Sequence, residues 1–456
     1  MKAADSTGKQ KKSKIARRAE MLRSALVRRL AKKRAPEPEA HKLAPLGVYV
    51  HIPFCKTRCA YCDFYSTSGR ENNMWQYVDA LRTHIGEYAE QLDNYLIDTV
   101  YFGGGTPSLF GAARLIAVLD ELKRRGHVSL DAEITLEANP ESVSLNDLRR
   151  LRRAGFNRIS IGIQSAKESY LSSLGRAHSF KTAERAVKSA RAAGFRNVSV
   201  DIMYGLPNQS REDFADDLLR IAALNPDHIS CYGLKLEEGT AFYVFKDSPF
   251  LPDDDVQADM YLYAADALGR FGYYQYEVSN FARRGFESRH NLKYWLGQEY
   301  LGFGPSASSY IGCARHTLVS DLDKYINGIK NGGGLIETTE EISDYELLRE
   351  YIMLRLRTIY GISEEEYRGI YNVGMERIAE LLAMYEEQGW ALYRDGRWRF
   401  TAEGFLLSNT LIGELLDAQR RERIVRVAPW QTEPDFAALQ TTLFPETELH
   451  SVSNFI

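Results

Sequence analysis

His51-Ile-Pro-Phe-Cys55-Lys-Thr-Arg-Cys59-Ala-Tyr-Cys62-Asp-Phe64 places three cysteines in one short loop with the spacing C-x3-C-x2-C. Three thiolates so close can hold three irons of a [4Fe–4S] cluster and leave the fourth iron without a protein ligand, whereas such clusters are ordinarily ligated by four cysteines. A metal site with an open position is one that performs chemistry. The competing reading of the same residues is a zinc site completed by His51. The other two cysteines, Cys231 and Cys313, stand far apart in apolar runs. They read as small buried hydrophobes, and five cysteines spread this way are no disulfide framework. A reducing, cytoplasmic setting is expected.

The remaining composition places the loop in a large soluble-type chain. A length of 456 residues allows two or three domains and a sizeable core. No apolar stretch is long enough to span a bilayer. Formal net charge is −3, but residues 1–45 are dominated by Lys and Arg while the body is acidic. The arm has a helical pattern near 15–35 and lacks the apolar core of a secretory signal. A mobile extension is the expectation, with peripheral contact to an anionic membrane surface as the alternative.

From residue 46 the chain alternates strand and helix patterns. Strands are expected over 48–53, 99–102, 132–137, 158–163, 198–203 and 228–234, with helices between them. Regular βα alternation implies a parallel sheet. Six units are two short of a closed eight-fold barrel, so an open (β/α)6 partial barrel is expected. In barrels the chemistry sits at the C-terminal strand ends. The cysteine loop follows the first strand, and Gly103-Gly-Gly-Thr-Pro-Ser108 follows the second. Glu137, Gln164 and Asp201 lie at or near the ends of the next three. A glycine run lets backbone approach a ligand closely. Glu137 accepts hydrogen bonds from ammonium or hydroxyl groups, Gln164 and Asp201 suit a ribose or purine edge, and Arg176 suits a carboxylate.

Several segments carry a family resemblance. Val48-Tyr-Val-His-Ile-Pro-Phe-Cys55, Phe102-Gly-Gly-Gly-Thr-Pro-Ser108, Gly162-Ile-Gln-Ser165, Leu174-Gly-Arg-Ala-His178, Asp201-Ile-Met-Tyr-Gly-Leu-Pro207 and Tyr276-Glu-Val-Ser-Asn-Phe-Ala282 resemble the HemN/HemW branch of the radical-SAM superfamily. The likeness covers roughly residues 47–416. It implies a radical-SAM barrel followed by a helical C-terminal domain, with Cys55, Cys59 and Cys62 holding a [4Fe–4S] cluster. It also implies S-adenosylmethionine contacts at Tyr49, Tyr61, Gly104, Gly105, Thr106, Glu137, Gln164, Arg176 and Asp201. Such a cofactor carries radical chemistry, and the resemblance leaves open whether it is cleaved here.

The branch divides into oxygen-independent coproporphyrinogen III dehydrogenases and HemW-type haem chaperones. Dehydrogenases usually carry a further cysteine where this chain has Phe64, and the basic arm does not resemble their N-terminal segment. Arg289-His-Asn-Leu-Lys-Tyr-Trp295 resembles the chaperones' H-N-x-x-Y-W motif, which makes His290 the candidate haem ligand. One departure is Ser308, where many relatives have histidine. The implied function is haem binding and delivery to apo-haemoproteins by a monomer or homodimer. Dehydrogenation of coproporphyrinogen III is the alternative.

Beyond the barrel, 346–357, 363–371 and 375–388 pattern as amphipathic helices. A hairpin around Asp395-Gly396 then suggests a winged-helix-like module. No basic recognition helix accompanies it, so a structural lid or partner docking is expected and nucleic-acid binding is not. The expected divisions are a basic extension over 1–45, the barrel with its C-terminal extension over 46–310, a helical C-terminal domain over 311–416 and an irregular tail over 417–456.

Overall fold

The computed structural model describes residues 43–419; the arm's expected helix and nearly all of the expected tail lie outside them. Six parallel strands form the centre: β1 (Ala44–Ile52), β2 (Tyr95–Gly104), β3 (His127–Ala138), β4 (Arg158–Gln164), β5 (Asn197–Tyr204) and β6 (His228–Gly233). Helices α1 (Met74–Glu87), α2 (Ala112–Arg125), α3 (Leu145–Ala154), α4 (Phe180–Ala193) and α5 (Arg211–Ala222) connect them. Strand β4 shows why the sheet forms. Ile159, Ile161 and Ile163 alternate with Arg158, Ser160, Gly162 and Gln164. The isoleucines are fully buried in the main core, and the polar set faces inward. An ordinary barrel interior is packed with branched apolar side chains; this one is polar.

The sheet does not close. On one side β6 pairs antiparallel with β8 (Asn280–Ala282), which pairs with β7 (Tyr274–Gln275). On the other, β9 (Tyr300–Phe303) returns to lie parallel to β1, with Gly47 opposite Tyr300. The sheet then continues through β10 (Ser308–Ile311), β11 (Ala314–Leu318) and β12 (Ile336–Glu341). The expected domain boundary at 310/311 therefore falls inside the sheet. A separate core includes Tyr261, Tyr310 and Ile342 and takes in α9 (Asp344–Arg355), α10 (Glu364–Tyr371), α11 (Glu376–Glu387) and α12 (Ser408–Ala418). Three more helices complete the numbering: α6 (Asp254–Arg270), α7 (Arg289–Trp295) and α8 (Leu322–Asn331). The hairpin is present as β14 (Ala391–Arg394) and β15 (Arg397–Phe400), with β13 (Ile362–Ser363) beside β15. Asp395 and Gly396 both have positive φ, 56° and 72°, as a two-residue hairpin turn requires. No helix among the described residues is long and apolar enough to cross a membrane.

Candidate cofactor site

A cavity of about 540 Å³ opens at the C-terminal ends of the strands. Cys55, Cys59, Cys62 and Tyr61 line it, as do Gly104, Gly105, Thr106, Glu137, Gln164, Arg176 and Asp201. Eleven of the thirteen residues singled out in the sequence thus share one chamber. Tyr49 and His290 do not line it.

The loop is fixed by backbone pairing. Gly105 N–H donates to the Ile52 carbonyl at 2.8 Å, and Thr106 N–H to the Phe54 carbonyl at 2.8 Å. A Cβ on Gly105 would lie 2.9 Å from that Ile52 oxygen. On Gly104, at φ +109°, it would lie 2.5 Å from the His51 ring. The glycine run therefore lets the end of β2 close on the entrance to the cysteine loop.

Each sulphur has polar surroundings. Cys55 Sγ is 3.4 Å from Thr106 Oγ1, and Arg176 donates to Cys59 Sγ at 3.6 Å. Arg176 also donates to Asn139 Oδ1 and to the Gly162 carbonyl, both at 2.8 Å. Burial pushes the Cys55 and Cys62 thiols above their ordinary value, so iron binding there would release protons. Among the described residues no three His, Cys, Asp or Glu side chains converge on a single ion. His51 stands apart from the thiols: its Nε2 bonds the Tyr65 carbonyl at 2.9 Å, and its Nδ1 shares a bond with Tyr49 Oη at 3.1 Å. The three cysteines border one chamber, and with both His51 ring nitrogens engaged by other partners the zinc reading lacks its fourth ligand.

Two carboxylates occupy the next layer. Glu137 accepts from Tyr101 Oη at 2.7 Å and from Gly104 N–H at 3.2 Å. Burial, with the nearby charge of Asp201, pushes it up to about 7. Asp201 accepts from Ser160 Oγ at 3.1 Å, and burial raises it too. Gln164 Oε1 accepts from Tyr232 Oη at 2.9 Å. Sequence reasoning passed over Tyr101, Asn139, Ser160, Tyr232 and Arg158. The signal for Arg158 and Ser160 was their alternation with isoleucine on β4, which assigns both to the lumen.

His290 sits elsewhere. It lies on α7, whose first N–H groups are held by Glu133: Arg289 N donates at 3.2 Å and His290 N at 3.0 Å. Lys293 pairs with Asp98 at 2.8 Å. The His290 ring is fully buried, with Nδ1 2.9 Å from Thr99 Oγ1 and Nε2 2.8 Å from Tyr294 Oη. Burial pulls its pKa down to about 3. Both ring nitrogens are engaged, and the residue of this motif that faces the cavity is Asn291. The candidate haem ligand is thus a buried imidazole in this structure. Ser308 lies on β10, its Oγ 3.1 Å from Thr317 Oγ1.

Comparison with known proteins follows the same lines. Residues 49–221 match the Radical SAM superfamily, and residues 342–407 match the HemN C-terminal domain. The heme chaperone HemW of Bacillus subtilis (strain 168) is 33% identical over 374 residues, spanning 81% of this chain and 99% of the relative. That of Escherichia coli (strain K12) is 35% identical over 381 residues, spanning 81% and 98%. That of Mycobacterium tuberculosis (strain ATCC 25618 / H37Rv) is 36% identical over 386 residues, spanning 82% and 95%. Among solved structures, coproporphyrinogen III oxidase (HemN) from Escherichia coli, described as a radical SAM enzyme, superposes with a TM-score of 0.72 at 25% identity. That alignment covers 83% of this chain and 91% of the other. With a radical-SAM barrel, a HemN-type C-terminal domain and relatives matched over nearly their whole length, the chain belongs to the HemW family of radical SAM proteins.

Proposed function

We propose that this protein is a haem chaperone that carries a [4Fe–4S] cluster and S-adenosylmethionine and passes haem to apo-haemoproteins. The observation that carries the cofactor part is the shared chamber at the strand ends. There Cys55, Cys59 and Cys62 would hold the cluster. Arg176, Glu137, Gln164, Asp201, Thr106 and the backbone of Gly104 and Gly105 would hold S-adenosylmethionine, with Tyr61 packed beside it. Tyr49 would act from behind, through Tyr101, on which it stacks and which borders the chamber. When bound, the pair supplies one-electron chemistry. The chain's residues supply the rest: Arg176 neutralises a carboxylate, Glu137 accepts from donors of the cofactor, and the polar lumen keeps those groups solvated by protein.

Haem carriage rests on the likeness to HemW chaperones and on Phe64, which is 68% exposed at the lip of the cavity where the dehydrogenases have cysteine. Ligation of haem iron by His290 would require its bond to Thr99 or Tyr294 to be exchanged for the metal. Haem titration of anaerobically reconstituted protein, beside turnover of coproporphyrinogen III on the same sample, tests the reading. Saturable haem binding without turnover supports it, and protoporphyrinogen formation makes the protein a dehydrogenase. In the same titration His290→Ala is expected to bind haem with unchanged affinity. A weakened complex would make His290 the ligand and require α7 to move.

Glu137 gives a pH prediction. Its folded pKa is raised, so in the free protein it takes up its proton as pH falls through about 7. The cofactor's ammonium favours the ionised form. S-adenosylmethionine affinity is therefore expected to rise between pH 6 and pH 8 by about tenfold and then level off. Glu137→Gln should bind more weakly and lose that dependence. Calorimetric titrations across the range check it; equal slopes in both proteins would remove Glu137 from the contact set.

A further inference from the structure

The same cavity reaches Arg158, the first residue of β4. This side chain is 2% exposed, yet its guanidinium borders the cavity. Its Nε has no hydrogen-bond partner, and no described residue forms an ion pair with it. A guanidinium stays charged in any protein setting, and an unpaired buried charge is far costlier than a lost neutral hydrogen bond. Glu137 and Asp201 feel its charge, but both carboxylates already accept from other donors. Glu137 has Tyr101 and Gly104, and Asp201 has Ser160. Asn291 and Ser279 add neutral polar atoms to the wall of the same chamber. What remains is a forked cation on the wall of a polar chamber, with no carboxylate paired to it among the described residues.

We propose that Arg158 anchors a carboxylate-binding subsite in the barrel lumen. A planar guanidinium takes a carboxylate through two parallel bonds. The carboxylate can come from a free small acid or from a propionate arm of haem; only the second source rests on the haem-carrier reading.

The test uses the full chain. Thermal unfolding is followed with sodium propionate, with propionamide as its uncharged counterpart, and with sodium chloride at matched ionic strength. Wild type should show a saturable rise in Tm with propionate alone. Arg158→Lys should keep a weaker response and Arg158→Gln none. A second arm compares haem with its dimethyl ester. If the subsite takes the cargo, esterification weakens binding to wild type by about tenfold and leaves Arg158→Gln unchanged. A propionate response without an ester effect assigns the subsite to a free carboxylate. An Arg158-dependent ester effect alone assigns it to haem. Equal propionate responses in wild type and Arg158→Gln, with no ester effect, overturn the proposal. Should wild type bind no haem, the carrier reading falls while the propionate arm still decides the subsite. Should Arg158→Gln fail to fold, wild-type crystals soaked in 3-bromopropionate decide: anomalous bromine density beside Arg158 supports the site, and its absence overturns it.

Discussion

Cys59→Ala is expected to abolish the iron–sulfur cluster. Iron and sulfide content after anaerobic reconstitution should fall to background, with the broad visible absorption gone. Two thiolates cannot fix a cube that the protein already grips at only three corners. Cys59 also accepts a hydrogen bond from one Arg176 nitrogen, while the other stays bonded to Asn139 and Gly162, so the substitution leaves Arg176 in place. Cys55→Ala and Cys62→Ala should behave alike, since all three thiols border the same cavity. Cys231→Ala is the control. Cys231 is 2% exposed on β6, outside the cavity lining, and its removal should leave iron content unchanged. A Cys59→Ala protein with full iron content would mean that the cluster is held elsewhere.

Gly105→Ala is the second large effect. The added Cβ would meet Ile52 O at 2.9 Å, Phe54 O at 3.0 Å and Pro53 C at 3.0 Å, all backbone atoms that cannot swing away. Relief requires the end of β2 to part from the chain entering the cysteine loop. That movement breaks the Gly105–Ile52 and Thr106–Phe54 hydrogen bonds. Overpacking of this kind costs about 1–3 kcal/mol, and the two bonds add about 1 kcal/mol each. Denaturant unfolding should therefore show a loss of about 4 kcal/mol, with impaired cluster assembly because Cys55 is displaced. Gly69→Ala, at a glycine with no atoms near its Cβ position, reports strain alone: its φ is +68°, and it should cost about 1 kcal/mol with normal iron content. An unaltered Gly105→Ala protein would show that the loop is pliable.

What could be read from the sequence was local or periodic. The βα alternation, the strand-end cysteines and glycines, and the Asp395-Gly396 turn each depend on neighbours within a few residues. Pairing across long sequence separations was not legible. Nothing in Tyr300–Phe303 announces that it lies parallel to β1, some two hundred and fifty residues earlier, and that pairing carries β10, β11 and β12 into the barrel sheet. The same limit applies to His290. Its motif reads as a helix with aromatics, but only the fold shows that Glu133, Asp98 and Thr99 draw this helix against the sheet and bury the imidazole. Arg158 was within reach. The run Arg-Ile-Ser-Ile-Gly-Ile-Gln alternates perfectly, and an arginine on the lumen side of a central strand calls for a partner.

Haem carriage is tested by transfer to an acceptor. Anaerobically reconstituted protein is loaded with haem, freed of excess, mixed with an apo-haemoprotein, and followed by absorption. The carrier's haem spectrum is expected to decay while the acceptor's grows, faster than from haem in buffer. A protein that takes up no haem, or that keeps it in the presence of acceptor, is no haem carrier.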